Sequence, residues 1–168
     1  MDAEGLIDWA ARVLGDADAL DHWQKDRERI DAEDLLAHVL GHDFDLDDDI
    51  SLSAQARFEK LVVRRATGEP TQLIKGYTEF RGLKLLQKPG TFIPRDSTEF
   101  LAAQAIRRVQ GRKCPVVVDM ACGIGPVALA VKHEVPRARV YGADLSAEAI
   151  RDARANARKL GIRAELVG

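Results

Sequence analysis

The pattern of apolar and polar positions divides the chain into a helical first part and a mixed second part. Through residues 1–67, apolar side chains recur every three or four positions, which is typical of amphipathic helices. The predicted helices cover residues 4–15, 19–29, 31–41 and 53–68. Asp31 and Ser53 are the predicted N-caps of the last two, and Trp23 lies in the second. The pattern therefore predicts a small helical bundle, whose core is marginal at this length.

The sequence pattern of residues 68–95 predicts a connecting segment that contains a β-hairpin. Two short, largely apolar runs, 77–80 and 83–86, lie on either side of the pair Arg81-Gly82. A short pair that contains glycine, placed between two such runs, favours a tight hairpin turn. We expect this segment to connect the helical bundle to the residues that follow.

The remaining residues, 96–168, alternate between helical and extended patterns. Asp96 and Glu99 have the spacing of a capping box and predict the start of a helix. Val116–Val118 are three consecutive β-branched residues, which predict a strand buried on both faces. The later predicted elements are a helix over 146–161 and a strand over 164–167. Strands that alternate with helices are typical of an α/β fold with a parallel sheet.

A glycine-rich turn follows the Val116–Val118 strand. Gly123 and Gly125 permit a tight turn with close approach of a ligand to the backbone, and Pro126 is well placed to start a helix. A second apolar run ends at Asp144, the position at which an acid typically binds a ribose diol. The turn alone is equally compatible with an ordinary strand-to-helix connection. The strand, turn, helix and second acid together predict a nucleoside cofactor site.

The glycine spacing excludes the usual dinucleotide fingerprint, because Ala121 and Ala128 occupy the positions of its first and third glycines. The run Asp119-x-Ala-x-Gly-x-Gly instead resembles the first motif of Rossmann-like S-adenosylmethionine-dependent methyltransferases. That resemblance implies that Asp119 accepts a hydrogen bond near the methionine ammonium of the cofactor. It also implies that Asp144 accepts hydrogen bonds from the ribose hydroxyls.

Charge and cysteine content add two expectations. Residues 1–60 carry a net charge of −11 and residues 61–168 a net charge of +9, which favours two units with different surfaces. No aromatic-interleaved basic motif indicates a direct nucleic-acid site. Two cysteines without metal-ligand spacing, and no apolar run long enough to cross a bilayer, favour a cytoplasmic protein with reduced thiols. Cys122 is either a reactive thiol or a small residue packed in the turn, and we favour the second.

Three motifs in order resemble one family. They are the run Gly-Glu-Pro-Thr-Gln-Leu-Ile-Lys-Gly-Tyr-Thr-Glu-Phe over 68–80, the run Phe-Ile-Pro-Arg over 92–95 with Glu99, and the glycine turn after Asp119. Together they resemble the HemK/PrmC type of methyltransferases. The resemblance implies an S-adenosylmethionine cofactor and methylation of a glutamine side-chain amide in a peptide chain release factor. It also implies that the N-terminal helical domain helps to hold this protein substrate.

The resemblance divides the chain into an N-terminal helical substrate-recognition domain (1–67), a linker with a β-hairpin (68–95) and the first part of a Rossmann-like methyltransferase domain (96–168). It implies a cofactor site and no metal site. The implied cofactor-binding residues are Phe92, Arg95, Asp119, Ala121, Gly123, Gly125, Asp144 and Leu145. We expect the protein to be monomeric.

Two departures from the family pattern shape the expectation of activity. Asp96-Ser97 replaces the usual proline-acid pair after Ile-Pro-Arg, which leaves the acceptor open between a release factor, another protein, a nucleic-acid amine and a small molecule. The Asn-Pro-Pro-Tyr motif that holds the acceptor in the family is absent, so no catalytic residue is assigned. We expect this chain to be the N-terminal part of a longer enzyme and to be inactive alone. The alternative is a binding module with a silent cofactor pocket.

Overall fold

The structure, a computed structural model, describes residues 1–20 and 27–168. Its contacts form two compact units, Met1–Lys75 and Gly76–Gly168. Most of the helix predicted over 19–29, including Trp23, lies outside the described residues. The division into domains at residues 67 and 95 stays a prediction.

The described residues of the first unit form four helices and the loops between them. Its helices are α1 (Ala3–Gly15), α2 (Glu28–Leu40), α3 (Leu52–Ala66) and α4 (Thr71–Lys75). Apolar stripes of the three longer helices meet in one core, in which the largest fully buried side chains include Leu6, Leu35 and Phe58. Burial of these large side chains is the main stabilising contribution of the unit. The predicted helical bundle is therefore confirmed, while the short helix α4 was not predicted.

The predicted N-cap of α2 is wrong. The N-cap is Arg27, four residues earlier, and Asp31 lies inside the first turn of the helix. The Asp31 carboxylate Oδ2 accepts a hydrogen bond from Arg65 Nε at 2.7 Å, and the two side chains are only 10% and 4% exposed. A buried carboxylate needs such a partner. The position of Asp31 is therefore explained by its contact with α3 and not by local capping.

The N-cap of α3 also differs from the prediction. Ser51, two residues before the predicted Ser53, accepts a hydrogen bond from the backbone N–H of Ala54 at 3.3 Å. The sequence offers a serine at both positions, and either has a residue type suited to capping. The prediction was therefore right in residue type and wrong in register.

The second unit begins with the predicted hairpin. Strands β1 (Tyr77–Phe80) and β2 (Leu83–Leu86) are antiparallel, and Phe80 pairs with Leu83 across a two-residue turn. Arg81 and Gly82 have φ values of 48° and 75°. Left-handed backbone at both central residues is typical of a type I′ turn, whose twist matches that of the strands. The prediction of the hairpin and its turn is confirmed.

A parallel three-stranded sheet follows. The remaining elements are α5 (Asp96–Val109), β3 (Val116–Met120), α6 (Pro126–Glu134), β4 (Arg139–Ala143), α7 (Ala147–Leu160) and β5 (Glu165–Val167). The strand order is β3-β4-β5, with Val118 paired with Tyr141 and Gly142 with Leu166. Parallel strands joined by helices confirm the predicted α/β, Rossmann-like arrangement.

Only one face of β3 is buried, so the prediction of a strand buried on both faces is wrong. Val116 and Val118 are each 58% exposed and Met120 is 72% exposed, whereas Val117 packs on the core of the unit. Alternate residues of a strand point to opposite faces of the sheet. Among the described residues, the helices cover the face that contains Val117 and leave the other face open.

The start of α5 differs from the predicted capping box. The helix begins at Asp96 with Arg95 as N-cap, and no side chain makes a capping hydrogen bond. Glu99 Oε1 instead accepts a hydrogen bond from the backbone N–H of Arg81 at 2.8 Å. The Glu99 carboxylate thus stabilises the hairpin turn, a contact across 18 residues that local spacing does not reveal.

The caps of α6 and α7 match the predictions. Pro126 is the first residue of α6, where its missing N–H costs nothing. Ser146 accepts a hydrogen bond from Ala149 N at 3.2 Å, and Gly161 ends α7 with a φ of 66°. In the described part of the chain, no helix is long and apolar enough to cross a membrane.

Candidate functional site

The carboxyl ends of β3 and β4 meet at one edge of the parallel sheet, where ligand sites of open α/β folds are usually found. A cavity of about 420 Å³ lies beside the turn that follows β3. Its lining residues are Phe92, Pro94, Thr98, Leu101, Asp119, Met120, Ala121, Cys122, Gly123, Ile124, Pro126, Val127 and Asp144. The volume is within the range of small-molecule sites, and the mixed apolar and acidic lining is suited to a ligand that is partly cationic.

The turn over 121–125 is built from left-handed backbone. Ala121, Gly123 and Gly125 have φ values of 58°, 55° and 89°. Alanine rarely adopts such a conformation, so Ala121 is held there by its surroundings. The N–H of Cys122 donates to Ala143 O and the N–H of Gly125 donates to Cys122 O, each at 2.9 Å. These bonds join the turn to β4 and close it on itself.

The two glycines of the turn have different roles. A Cβ atom at Gly123 would meet nothing within 4 Å, so its backbone borders open space. A Cβ atom at Gly125 would lie 3.2 Å from Leu129 Cδ1 and 3.4 Å from Ala153 Cβ. Gly125 is therefore favoured by its φ of 89° and by close packing at the start of α6, and it does not line the cavity.

Asp144 joins the glycine turn to the end of β4. Its Oδ2 accepts a hydrogen bond from Gly123 N at 2.8 Å, and its Oδ1 accepts one from Ser146 N at 2.9 Å. A carboxylate has about four acceptor positions, so each oxygen keeps one for a ligand. The carboxylate is thus fixed in orientation and still able to accept hydrogen bonds from a hydroxyl pair.

Asp119 has a structural contact in addition to its place in the cavity. Its Oδ2 accepts a hydrogen bond from Ala128 N at 3.0 Å, one of the N–H groups without a partner in the first turn of α6. Burial raises the pKa of the Asp119 carboxyl, the bond from Ala128 opposes this, and repulsion from Asp144 adds to it. Two neighbouring acids in a partly desolvated cavity favour a cationic group on the ligand.

Cys122 is an inert thiol. Its side chain is 3% exposed, and burial, followed by repulsion from Asp119 and Asp144, raises its pKa to about 11. The thiolate is the nucleophilic form of cysteine, and it is scarce at neutral pH when the pKa is this high. The structure therefore favours the packed residue over the reactive thiol.

Phe92 forms part of the cavity wall on the side of α5. The ring is 64% exposed, and the Arg95 guanidinium carbon lies 5.3 Å from the ring centroid, which is the geometry of a cation–π contact. Arg95 itself does not line the cavity. It contacts the wall through Phe92.

Leu145 lies at a second, neighbouring cavity. This cavity has a volume of about 510 Å³ and an almost wholly apolar lining, formed by Met120, Ala121, Ala143, Asp144, Leu145, Val167 and Gly168. The Leu145 side chain is fully exposed. Met120, Ala121 and Asp144 line both cavities, so the two adjoin.

The structure thus brings five of the eight predicted cofactor residues to one cavity: Phe92, Asp119, Ala121, Gly123 and Asp144. The three that do not line it are Arg95, Gly125 and Leu145. Cofactor binding by all eight stays a prediction. Sequence reasoning missed Thr98 and Leu101, whose spacing of one helical turn on α5 was the available signal. The described residues contain no group of His, Cys, Asp and Glu that is suited to a metal ion.

Two family models match the chain. A model described as the PrmC N-terminal domain matches residues 6–76, and one described as a methyltransferase domain matches residues 117–168. The second match begins within β3 and includes the glycine turn and Asp144.

Curated relatives give the same grouping. A release factor glutamine methyltransferase from Burkholderia pseudomallei is 38% identical over 79% of this chain and 48% of its own length. One from Moorella thermoacetica is 34% identical over 84% of this chain and 52% of its own length. A 4-amino-L-phenylalanine/4-methylamino-L-phenylalanine methyltransferase from Streptomyces pristinaespiralis is 38% identical over 82% of this chain and 49% of its own length. The chain thus spans about half the length of the curated relatives it matches.

Proposed function

We propose, from the premise that this chain is a PrmC-like protein, that the whole protein is an S-adenosylmethionine-dependent methyltransferase. Its acceptor in this proposal is the side-chain amide nitrogen of a glutamine in a peptide chain release factor. The name shared by the relatives from Burkholderia pseudomallei and Moorella thermoacetica supports the acceptor. The protein would act as a monomer in the cytoplasm, without direct contact to nucleic acid.

The observation that carries the cofactor assignment is the arrangement of Asp119 and Asp144 around one cavity. Each acid follows or ends a parallel strand, and each is oriented by a backbone N–H donor. Asp144 is suited to a ribose diol, because both of its oxygens are fixed and keep acceptor capacity. Asp119 is suited to an ammonium group, because the charge-assisted bond would compensate for its desolvation. S-adenosylmethionine contains both groups.

In this proposal the turn and the cavity walls orient the cofactor. Gly123 borders open space and permits the ligand to approach the backbone. Phe92 and Leu101 supply apolar contact area, and Arg95 holds the Phe92 ring. Gly125 acts indirectly, by keeping α6 close to the turn. Leu145, at the adjoining apolar cavity, is assigned to the adenosyl end of the ligand.

When bound, S-adenosylmethionine supplies an electrophilic methyl group on a sulfonium sulfur. Transfer to an amide nitrogen is an in-line displacement, in which positioning and charge stabilisation supply most of the protein's contribution. The high pKa of Cys122 keeps this neighbouring thiol protonated, so it does not compete for the methyl group. The N–C bond would form as the C–S bond breaks, with S-adenosylhomocysteine as the leaving group, and the amide nitrogen would then lose its proton to solvent. No general base is assigned among the described residues.

Transfer of a labelled methyl group to purified release factor tests this proposal. The whole protein, incubated with methyl-labelled S-adenosylmethionine, should label the release factor at one glutamine. A release factor with that glutamine replaced by alanine is the matched control and should remain unlabelled. Labelling of both forms would contradict the proposed acceptor. Labelling only of an aromatic amino acid with a free amine would favour the chemistry named for the Streptomyces pristinaespiralis relative.

A further inference from the structure

A polar stripe on α7 lies outside the residues already assigned to the cofactor. Glu148, Asp152 and Asn156 are spaced by four residues and therefore share one face of the helix. Asp152 is 4% exposed and Asn156 is fully buried. Buried polar side chains on a helix need partners, and those of Asp152 and Asn156 lie in the hairpin, in the loop after it and in the glycine turn.

Asn156 bonds to two separate segments. Its Oδ1 accepts a hydrogen bond from Leu86 N at 2.7 Å, and its Nδ2 donates to Leu86 O at 3.3 Å. The same Nδ2 donates to Ile124 O at 3.1 Å. Leu86 is the last residue of β2, and Ile124 lies in the glycine turn and lines the cavity. One side chain thus ties the end of the hairpin and the glycine turn to the same point of α7.

The loop over 87–91, which follows β2, is held against the same helix face. Lys88 Nζ bonds to Asp152 Oδ1 at 2.9 Å. A Cβ atom at Gly90 would lie 3.2 Å from Glu148 Oε2, so the backbone of the loop passes close to the end of this exposed side chain. The loop is braced from within by Gln87, whose Nε2 donates to Thr91 O and Thr91 Oγ1 at 3.2 and 2.9 Å.

The loop that is held on α7 ends at Thr91, one residue before Phe92 in the cavity wall. Phe92 and Pro94, the next parts of the chain to line the cavity, directly follow the braced loop. Another part of the cavity lining comes from the glycine turn, which includes Ile124. Asn156 is therefore the side chain that bonds both to the turn and to the strand end from which the Phe92 segment departs.

We propose that Asn156 is a positioning residue of the cofactor cavity, which sets the separation between the glycine turn and the Phe92 segment without touching the ligand. Asp152 supports it by bonding to Lys88 of the 87–91 loop. This inference rests on the proposed function, since it assigns a ligand to the cavity. It predicts that loss of the Asn156 amide weakens cofactor binding more than the accompanying loss of stability explains.

The test compares Asn156→Ala with Val135→Ala in the whole protein. Val135 is equally removed from solvent, at 3% exposed, but it lies at the far end of α6 and does not line the cavity. Binding of S-adenosylhomocysteine is measured by calorimetry, thermal unfolding gives Tm, and amide hydrogen exchange is followed over 87–92 and 121–125 without ligand. Gly90→Ala places a side chain on an exposed loop residue with a φ of 90°, so it strains the backbone of the loop and disturbs the same attachment from the solvent side. It covers the case in which Asn156→Ala does not fold.

The expected result is at least a tenfold rise in Kd for Asn156→Ala and a several-fold rise for Gly90→Ala, with faster exchange in both segments. Val135→Ala should lower Tm to a similar extent as Asn156→Ala and change Kd less than threefold. The positioning role would be overturned if, for a given fall in Tm, the Kd of Asn156→Ala or Gly90→Ala rose no more than that of Val135→Ala. Absence of binding to the unaltered protein would instead overturn the cofactor assignment, and with it this inference.

Discussion

The Asp119 carboxylate combines a structural contact with an energetic cost. It satisfies an N–H group at the start of α6, yet burial and the neighbouring Asp144 raise its pKa. A raised pKa in the folded state means that the ionised form opposes folding at neutral pH. A residue kept under such a cost is a candidate for ligand binding, because active sites commonly lose stability in favour of function.

Replacement of Asp119 by asparagine should separate these two effects. Asp119→Asn keeps an oxygen for Ala128 N and removes the charge, so we expect an equal or higher Tm at pH 7. The gain in Tm should disappear as the pH falls through the raised pKa of Asp119. The protonated aspartic acid and the asparagine are then both neutral. Affinity for S-adenosylhomocysteine should fall by about tenfold or more, because a charge-assisted hydrogen bond is lost. A lower Tm with unchanged affinity would contradict this account of Asp119.

The two cysteines should differ in reactivity. Cys114 is exposed, whereas Cys122 is buried with a pKa of about 11. At pH 8 only about one Cys122 thiol in a thousand is ionised at that pKa. Titration with a chromogenic disulfide should therefore show one reactive thiol per native chain and a second after unfolding. Two thiols reacting at equal rates in the native protein would refute the assigned burial and pKa of Cys122.

At the residue scale, sequence reasoning identified side chains whose position follows from a local pattern. Asp119 and Asp144 were predicted because each stands at or after the end of a strand. Asn156 was not predicted and Asp31 was predicted only as an N-cap, because their partners lie 70 and 34 residues away in the chain. Polar residues of this kind have no local signature, and only the tertiary contacts show why they are buried.

Among the helices, the buried pair of Asp31 and Arg65 joins α2 to α3. The charges are almost fully removed from solvent, so each requires the other. The neighbouring pair of Arg64 and Glu69 is partly exposed, with Arg64 46% accessible, and it is of the kind that contributes little to stability. The two adjacent arginines therefore offer a matched comparison within one helix.

Arg65→Ala should lower the free energy of unfolding by about 3–5 kcal/mol, because it leaves the Asp31 charge buried without a partner. Arg64→Ala should lower it by less than about 1 kcal/mol. The double change Asp31→Leu with Arg65→Met should recover most of the loss, since it removes both charges. Chemical denaturation followed by circular dichroism measures all three. Equal effects of the two single changes would show that burial of the Asp31 pair is not what stabilises the helical unit.

At the element scale, hydrophobic periodicity and cap residues located most helices and strands. The hairpin, the start of α6 and both ends of α7 were predicted because their signals are local: an Arg-Gly pair, a proline, a serine and a terminal glycine. The burial of β3 was predicted wrongly. A run of apolar residues indicates that a strand can be buried, but it does not show whether other elements pack on both faces of that strand.

At the scale of the whole molecule, the helical unit and the α/β unit have different surfaces. The acidic excess lies in the first 60 residues and the basic excess in the rest. The uncovered face of β3, with Val116, Val118 and Met120, is a large apolar surface for a single unit. One family model matches the helical unit, another matches part of the α/β unit, and the curated relatives align with both units. The three sequence motifs indicate the same relationship.

The central claim is that the cavity beside the glycine turn binds the methyl donor. Amide hydrogen exchange of the protein with and without S-adenosylhomocysteine tests it most directly, because it reports both binding and location. The account predicts slower exchange on ligand addition in the segments 92–101, 121–125 and 144–146, which contain most of the residues that line the cavity. Protection confined to other segments, or no change at saturating ligand, would contradict it.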